Sequence, residues 1–304
     1  MVSDKTWAGV FPAVTTQFNA DDSIDFPAIQ RIVHNLIKEG VSGLIACGSV
    51  GEASTLTPTE KREVVAAIRD AAGGRVPVLS GLCESSTSAA TAYARDIEKI
   101  GADGLMVMPP MIYSAAPGEI VAWFKTVASA SALPIMLYNN PPAYRNDVLP
   151  ALVRELAPVE TVVAIKESSG DTRRFVDIQN AVGDRFKLFC GLDDVVLEAT
   201  ALGAVGWVSG LSNVFPAECD HLFRLAAAGR LTEALPIYRW IMPLLHLDAR
   251  PDLVQSIKLA EQMLGRGHER TRAPRLPLEG ETRTYVEGLV RTALETRPAL
   301  KDAV

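Results

Sequence analysis

The feature that most constrains this chain is an alternation. Short apolar runs recur eight times: "GVFPAVTTQF" from 9, "GLIACGS" from 43, "VPVLSGL" from 76, "GLMVMPP" from 104, "PIMLYNN" from 134, "VVAIKES" from 162, "KLFCGLD" from 187 and "GWVSGLSN" from 206. Runs this short and this apolar suit parallel strands buried on both faces. Helical patterns fill the gaps. "DFPAIQRIVHNLIKEG" places Phe26, Ile29, Ile32, Val33, Leu36 and Ile37 on one stripe and stops at Gly40. Thr57, Pro58 and Glu60 fit the N-cap, N1 and N3 positions of a capping box. Further helices are expected over 86–100, 117–131, 147–157, 172–182 and 194–202.

Eight such units, with no GxGxxG turn after the first strand, predict an α/β chain folded as a closed (β/α)8 barrel, not an open dinucleotide-binding sheet. The barrel is expected over 1–228. Residues 229–304 are expected to form a helical region packed on it, with helices over 231–247, 252–264 and 281–295 and Pro243 kinking or ending the first.

With 304 residues, 48% of them hydrophobic and 22% charged, the composition is that of a soluble globular protein, and the net charge of -6 argues against nucleic acid as a partner. The amino terminus lacks the pattern of a signal peptide and no 18-residue stretch resembles a membrane span, so a cytoplasmic location is expected. Cys47, Cys83, Cys190 and Cys219 form no CxxC pair and read as reduced core cysteines. His34, His221, His246 and His268 fall in helical or linker segments, so neither a metal site nor a metal-dependent aldolase is expected, and no cofactor either. The four tryptophans read as core or subunit-interface residues, and the basic stretch 265–278 as a solvated linker with its proline-rich end packed on the barrel.

Catalysis in such a barrel takes place at the carboxyl ends of the strands. Thr15, Thr16, Ser49, Tyr138, Asn139, Lys166, Asp193 and the segment Ser209 to Asn213 gather there. Lys166 ends an apolar strand on the same face as the small Ala164, and Glu167 points the other way, so that carboxylate is a poor partner for it. An amine so desolvated loses its proton more readily and can attack a ketone to form a Schiff base. Tyr138, at the end of the neighbouring strand, is suited to relay protons. Gly48, Ser49 and Gly51 can expose amides to a carboxylate, with Glu52 bracing their loop.

These pieces together resemble the dihydrodipicolinate synthase and N-acetylneuraminate lyase family of class I aldolases. The match runs from Gly9 to Leu278: "GVFPAVTTQF", "GSVGE" for the family's GxxGE loop, "LYNNP" for its YNxP, "IKESSGD" for its lysine strand, then "GLDD" and "GWVSGLSN". The resemblance implies a tetramer and a Schiff base with a 2-keto acid. It makes Lys166 the imine-forming residue, Tyr138 the proton relay, Ser49 with the Val50 backbone the carboxylate site, and Gly191 and Val208 pocket-lining positions.

Three departures bear on the substrate. The second threonine of the synthases' loop is Val50 here. Met111 stands where their second tyrosine reaches toward a neighbouring subunit, with Tyr113 two residues on. Ala143 occupies the position of their carboxylate-binding arginine, with Arg145 displaced by two. Losing a charge-assisted contact of that kind disfavours aspartate semialdehyde. The specific expectation is a catabolic member, a 1-pyrroline-4-hydroxy-2-carboxylate deaminase. The alternatives are a 2-keto-3-deoxy sugar acid aldolase or dehydratase, a 4-hydroxy-tetrahydrodipicolinate synthase, or a silent 2-keto acid binding protein.

Overall fold

The computed structural model describes residues 7–300. Strand and helix alternate as β1 (Gly9–Pro12), α1 (Phe26–Lys38), β2 (Leu44–Ala46), α2 (Pro58–Ala72), β3 (Val78–Leu82), α3 (Thr87–Ile100), β4 (Gly104–Val107), α4 (Pro117–Ala128), β5 (Ile135–Asn139), α5 (Pro141–Tyr144), α6 (Pro150–Leu156), β6 (Val162–Glu167), α7 (Arg173–Val182), β7 (Lys187–Cys190), α8 (Val196–Ala201), β8 (Gly206–Ser209) and α9 (Pro216–Ala227). Every strand pairs in parallel with its sequence neighbour from β2 round to β8, and β8 pairs with β1. The circle closes where Ala13 bridges Ile45 and the Val14 amide donates to the Ile45 carbonyl at 2.9 Å. The result is the expected (β/α)8 barrel with a helical appendage made by α10 (Leu231–Leu245), α11 (Leu253–Met263) and α12 (Gly280–Glu295).

Local chemistry explains the boundaries. The Thr57 hydroxyl accepts from the Glu60 amide while the Glu60 carboxylate accepts from the Thr57 amide, a complete capping box that satisfies two amides the first turn leaves unpaired. The helix expected from 147 begins only at Pro150, whose ring suits the first helical position, and the one expected from 194 opens as a 3-10 turn at Asp193–Val195. α10 runs through Pro236 and Pro243 to Leu245, then tightens into a 3-10 turn at His246–Ala249.

Beneath the barrel mouth, Phe11 and Phe189 meet edge to face with ring centroids 5.4 Å apart and seal the interior. All four tryptophans are spent structurally: Trp7 is buried, Trp123 donates to the Met108 carbonyl, Trp207 to Asp193 and Trp240 to the Ala293 carbonyl. The four cysteines are free thiols.

The basic stretch departs from expectation, being bound and not solvated. Arg266 forms a two-bond pair with Glu39 at 2.7 Å, and Arg272 pairs with Glu60 at 2.9 Å while its amide donates to Glu52. The charges that read as a solvated face are matched by acids at the end of α1, on α2 and in the loop before α2. Among the described residues, no helix is long and apolar enough to cross a membrane and no group of His, Cys, Asp and Glu is arranged to hold a metal ion.

Candidate active site

One register shift sets up the centre of the barrel mouth. β5 and β6 pair Ile135 with Val162 and then Met136 with Ala164, so Val163 is skipped as a bulge. The shift brings Tyr138 opposite Lys166. Lys166 is 6% exposed, and its Nζ lies 3.9 Å from the centre of the Tyr138 ring. Glu167 turns to the outer face, as alternation requires, where it accepts from Asn139 Nδ2 at 3.0 Å and from the Ser169 amide at 2.6 Å. Asn139 also receives the Val148 amide and so fixes the chain after β5.

Lys166, Tyr138, Ser49, Val50, Gly191 and Val208, the six residues singled out from sequence, line one pocket of about 40 Å³. Gly191 is required there. A Cβ on it would come within 2.8 Å of Lys166 Cγ and Cε and would strike the buried Ser168 hydroxyl. The Ser49 and Val50 amides donate to no other described group and are free for an anion, while the Glu52 amide closes the turn onto the Ser49 carbonyl. Glu52 braces this loop as expected, through a fully buried ion pair with Lys258 of α11 at 2.8 Å.

The remaining polar strand ends are structural. Thr15 donates to Glu261, Thr16 to the Gly51 carbonyl and Asn213 to the Ala13 carbonyl, whereas Asp193 accepts from Trp207 and from the Leu211 amide. Tyr113 is 51% exposed and Arg145 lies on the surface, and neither lines the pocket.

Two groups at the site, one behind the pocket lining and one within it, were not singled out from sequence. Tyr144, at the end of the one-turn helix α5, shares a hydrogen bond with the Ser49 hydroxyl and stacks edge-on against Tyr138 with ring centroids 5.7 Å apart. Its only sequence signal was an aromatic residue a few positions beyond Tyr138. The second is Asp248, delivered by the turn after α10, with Oδ2 accepting from the Asp193 amide at 3.1 Å. Nothing in the local sequence marks it.

The electrostatics follow from burial. Desolvation holds the Lys166 amine below the 10.5 of a free lysine, against the opposing pull of Asp248, Tyr144 and Asp193. Burial pushes the Tyr138 phenol up to about 12, with the hydrogen bond from Asn140 working the other way. Burial also raises Tyr144, and it lifts Asp248 to about 6 although Lys166 favours its charge. At neutral pH the site therefore combines an amine that deprotonates readily, two protonated phenols and a carboxylate. That combination suits addition of the amine to a carbonyl followed by stepwise proton transfer.

Comparisons with known proteins agree with this geometry. The model of the dihydrodipicolinate synthetase family matches residues 6–293. The 4-hydroxy-tetrahydrodipicolinate synthase of Methanothrix thermoacetophila is 34% identical over 90% of this chain and 92% of its own, and that of Sphingopyxis alaskensis 32% identical over 94% and 99%. Among solved structures, the 4-hydroxy-tetrahydrodipicolinate synthase of Methylacidiphilum fumariolicum superposes with a TM-score of 0.92 at 27% identity, covering 95% of this chain and 97% of that one. YagE, an E. coli K12 prophage protein of the same family solved in complex with pyruvate, superposes with a TM-score of 0.90 at 27% identity, covering 95% and 99%.

Proposed function

The chain belongs to the dihydrodipicolinate synthetase family, and on that premise we propose that Lys166 is its Schiff-base lysine, acting on a 2-keto acid or a cyclic imino acid. The family's members are class I lyases, and this chain is an enzyme of that class. The observation that carries the assignment is the depressed, buried amine of Lys166 held over the Tyr138 ring at the floor of the pocket.

In this reading the substrate carboxylate docks on the free amides of Ser49 and Val50, with the Ser49 hydroxyl beside them. The neutral amine adds to C2, and Tyr138 protonates the departing oxygen or nitrogen and recovers the proton as the imine forms. The iminium withdraws electrons and acidifies C3, which opens the way to enamine chemistry. Tyr144 hands protons on between Tyr138 and Ser49. Gly191 and Val208 leave the wall beside the lysine open.

The specific reaction we favour is deamination of 1-pyrroline-4-hydroxy-2-carboxylate. Loss of the C4 hydroxyl, ring opening and hydrolysis give 2,5-dioxopentanoate and ammonia, with net uptake of one water. Ala143 at the arginine position, the surface placement of Arg145 and the pocket carboxylate of Asp248 all favour a substrate without a second carboxylate. The relatives in Methanothrix thermoacetophila and Sphingopyxis alaskensis favour a second reading, 4-hydroxy-tetrahydrodipicolinate synthase. We place the enzyme in the cytoplasm as a homotetramer, an assembly that sedimentation would report.

Borohydride reduction in the presence of pyruvate, followed by peptide mass analysis, tests the lysine. An adduct on Lys166 is expected, and an adduct elsewhere or none from folded protein overturns the assignment. Ammonia release from the pyrroline substrate identifies the deaminase. Condensation of pyruvate with aspartate semialdehyde at a comparable rate, without activity on the pyrroline, would replace it with the synthase.

A further inference from the structure

The pocket has a carboxylate with one committed oxygen and one free. Asp248 Oδ2 accepts from the Asp193 amide, and Oδ1 has no hydrogen-bond partner among the described residues. The turn that carries it is fastened from several directions. His246 Nδ1 meets Asp194 at 2.9 Å, and the Tyr238 hydroxyl donates to the Asp194 carbonyl at 2.6 Å, so α10 and its following turn are pinned onto the 3-10 turn after β7. Gly210 keeps the approach to the carboxylate open, since a Cβ there would stand 3.2 Å from Asp248 Oδ1.

The chemistry of the lining assigns this oxygen a place along the substrate. The free amides of Ser49 and Val50 on one side and Lys166 at the floor account for a substrate's C1 carboxylate and C2 carbonyl. The walls left for the rest of the chain include Leu192, Val208, Gly210 and Leu253, none of which carries a polar side chain. Apart from Lys166 and the Tyr138 phenol, Asp248 is the ionisable side chain of the pocket.

We infer that Asp248 is a specificity residue that reads the far end of the substrate, accepting a hydrogen bond from a terminal hydroxyl and turning away a terminal carboxylate. The inference rests on the Schiff-base reading of Lys166. Two carboxylates forced together in a water-poor pocket repel strongly, whereas a hydroxyl finds in Oδ1 the acceptor it loses by leaving water. The substrates selected are 2-keto acids, or their cyclic imines, with a single carboxylate and a hydroxyl further along the chain.

A matched pair of probes isolates the effect: 5-hydroxy-2-oxopentanoate and 2-oxoglutarate share a five-carbon backbone and differ in the terminal group. Borohydride trapping on the full chain, with pyruvate as a probe that has no far end, gives a half-saturating concentration for each. The unmutated protein should prefer the hydroxylated probe by at least about tenfold, as expected when a buried polar group is left mismatched. Asp248→Asn keeps an acceptor for the Asp193 amide and removes the charge. It should bring the two probes within about threefold of each other, mainly by improving 2-oxoglutarate. Because the Asp248 charge also bears on the Lys166 amine, the pyruvate value of each form serves as the reference against which its two longer probes are scored.

Equal trapping of the two probes by the unmutated protein overturns the inference, and so does a preference that Asp248→Asn leaves intact. The first measurement needs no variant, and Asp248→Ser provides a second if the asparagine form fails to fold. Pyruvate separates the two levels of failure. An adduct with pyruvate but no discrimination between the longer probes removes the role of Asp248 alone, whereas no adduct with any probe removes the lysine assignment with it.

Discussion

Tyr138 and Lys166 are register partners on adjacent strands, and the lysine nitrogen stands 3.9 Å over the centre of the tyrosine ring. The phenol, pushed up to about 12, is protonated at neutral pH, so its first act in the proposed mechanism is to donate. Tyr138→Phe keeps the ring and removes the proton. We expect turnover to fall by about 10²–10⁴-fold, the usual weight of a positioned acid or base. Steady-state rates set beside the extent of borohydride trapping check this, because slow adduct formation should still run to completion.

Tyr144 reaches the proposed relay from α5 through its hydrogen bond to Ser49. Tyr144→Phe preserves the edge-on contact with Tyr138 and breaks that bond, so its cost should be smaller, about 10–100-fold in kcat. A pre-steady-state measurement of imine formation should slow in parallel. A rate unchanged within about twofold would remove Tyr144 from the proton path.

The loop carrying Ser49 is held from beneath by Glu52 and Lys258, both fully buried. Lys258→Met leaves the Glu52 carboxylate buried beside the Arg272 amide, with the Arg275 guanidinium 4.0 Å away as its remaining counter-charge. Breaking a buried pair in this way costs about 3–5 kcal/mol of stability. Urea denaturation should show that loss, and adding Glu52→Gln to Lys258→Met should recover part of it.

Glu261 gives the fold a pH signature. Burial raises its carboxyl from 4.5 to about 7, with Thr15, Gln17, Lys258 and Arg266 opposing the shift. A raised acid binds more protons in the folded state than in the unfolded one. Its contribution to stability is therefore complete below pH 4.5 and is lost as pH rises through about 7. Glu261→Gln should flatten that part of the stability profile, which thermal melts across pH 4 to 8 would read.

Much of the site was legible because it sits where strands end. Lys166 declared itself by its place in a β-branched run, and Ser49 and Glu52 by a glycine-rich turn after β2. The opposition of Tyr138 and Lys166 was readable only as adjacency, since the bulge at Val163 that aligns them leaves no mark in the pattern. Tyr144 stayed hidden because the one-turn helix that Pro141 and Pro142 start, and that turns its ring toward Ser49, is too short to show a periodicity. Asp248 and the pairing of Arg266 and Arg272 with Glu39, Glu52 and Glu60 depend on how the C-terminal third packs against the first. Periodicity reports which face of an element is apolar, and it carries no information about which distant charge will meet it.

The eight strands are all in hand once Ser209 has been made, yet the loop beside the lysine leans on Lys258 and Arg272, and the pocket's own carboxylate arrives with the turn at 246–249. A nascent chain leaving the ribosome thus carries Lys166 long before the groups that finish the pocket around it. The order of synthesis makes the docking of the last helices the step that completes the pocket.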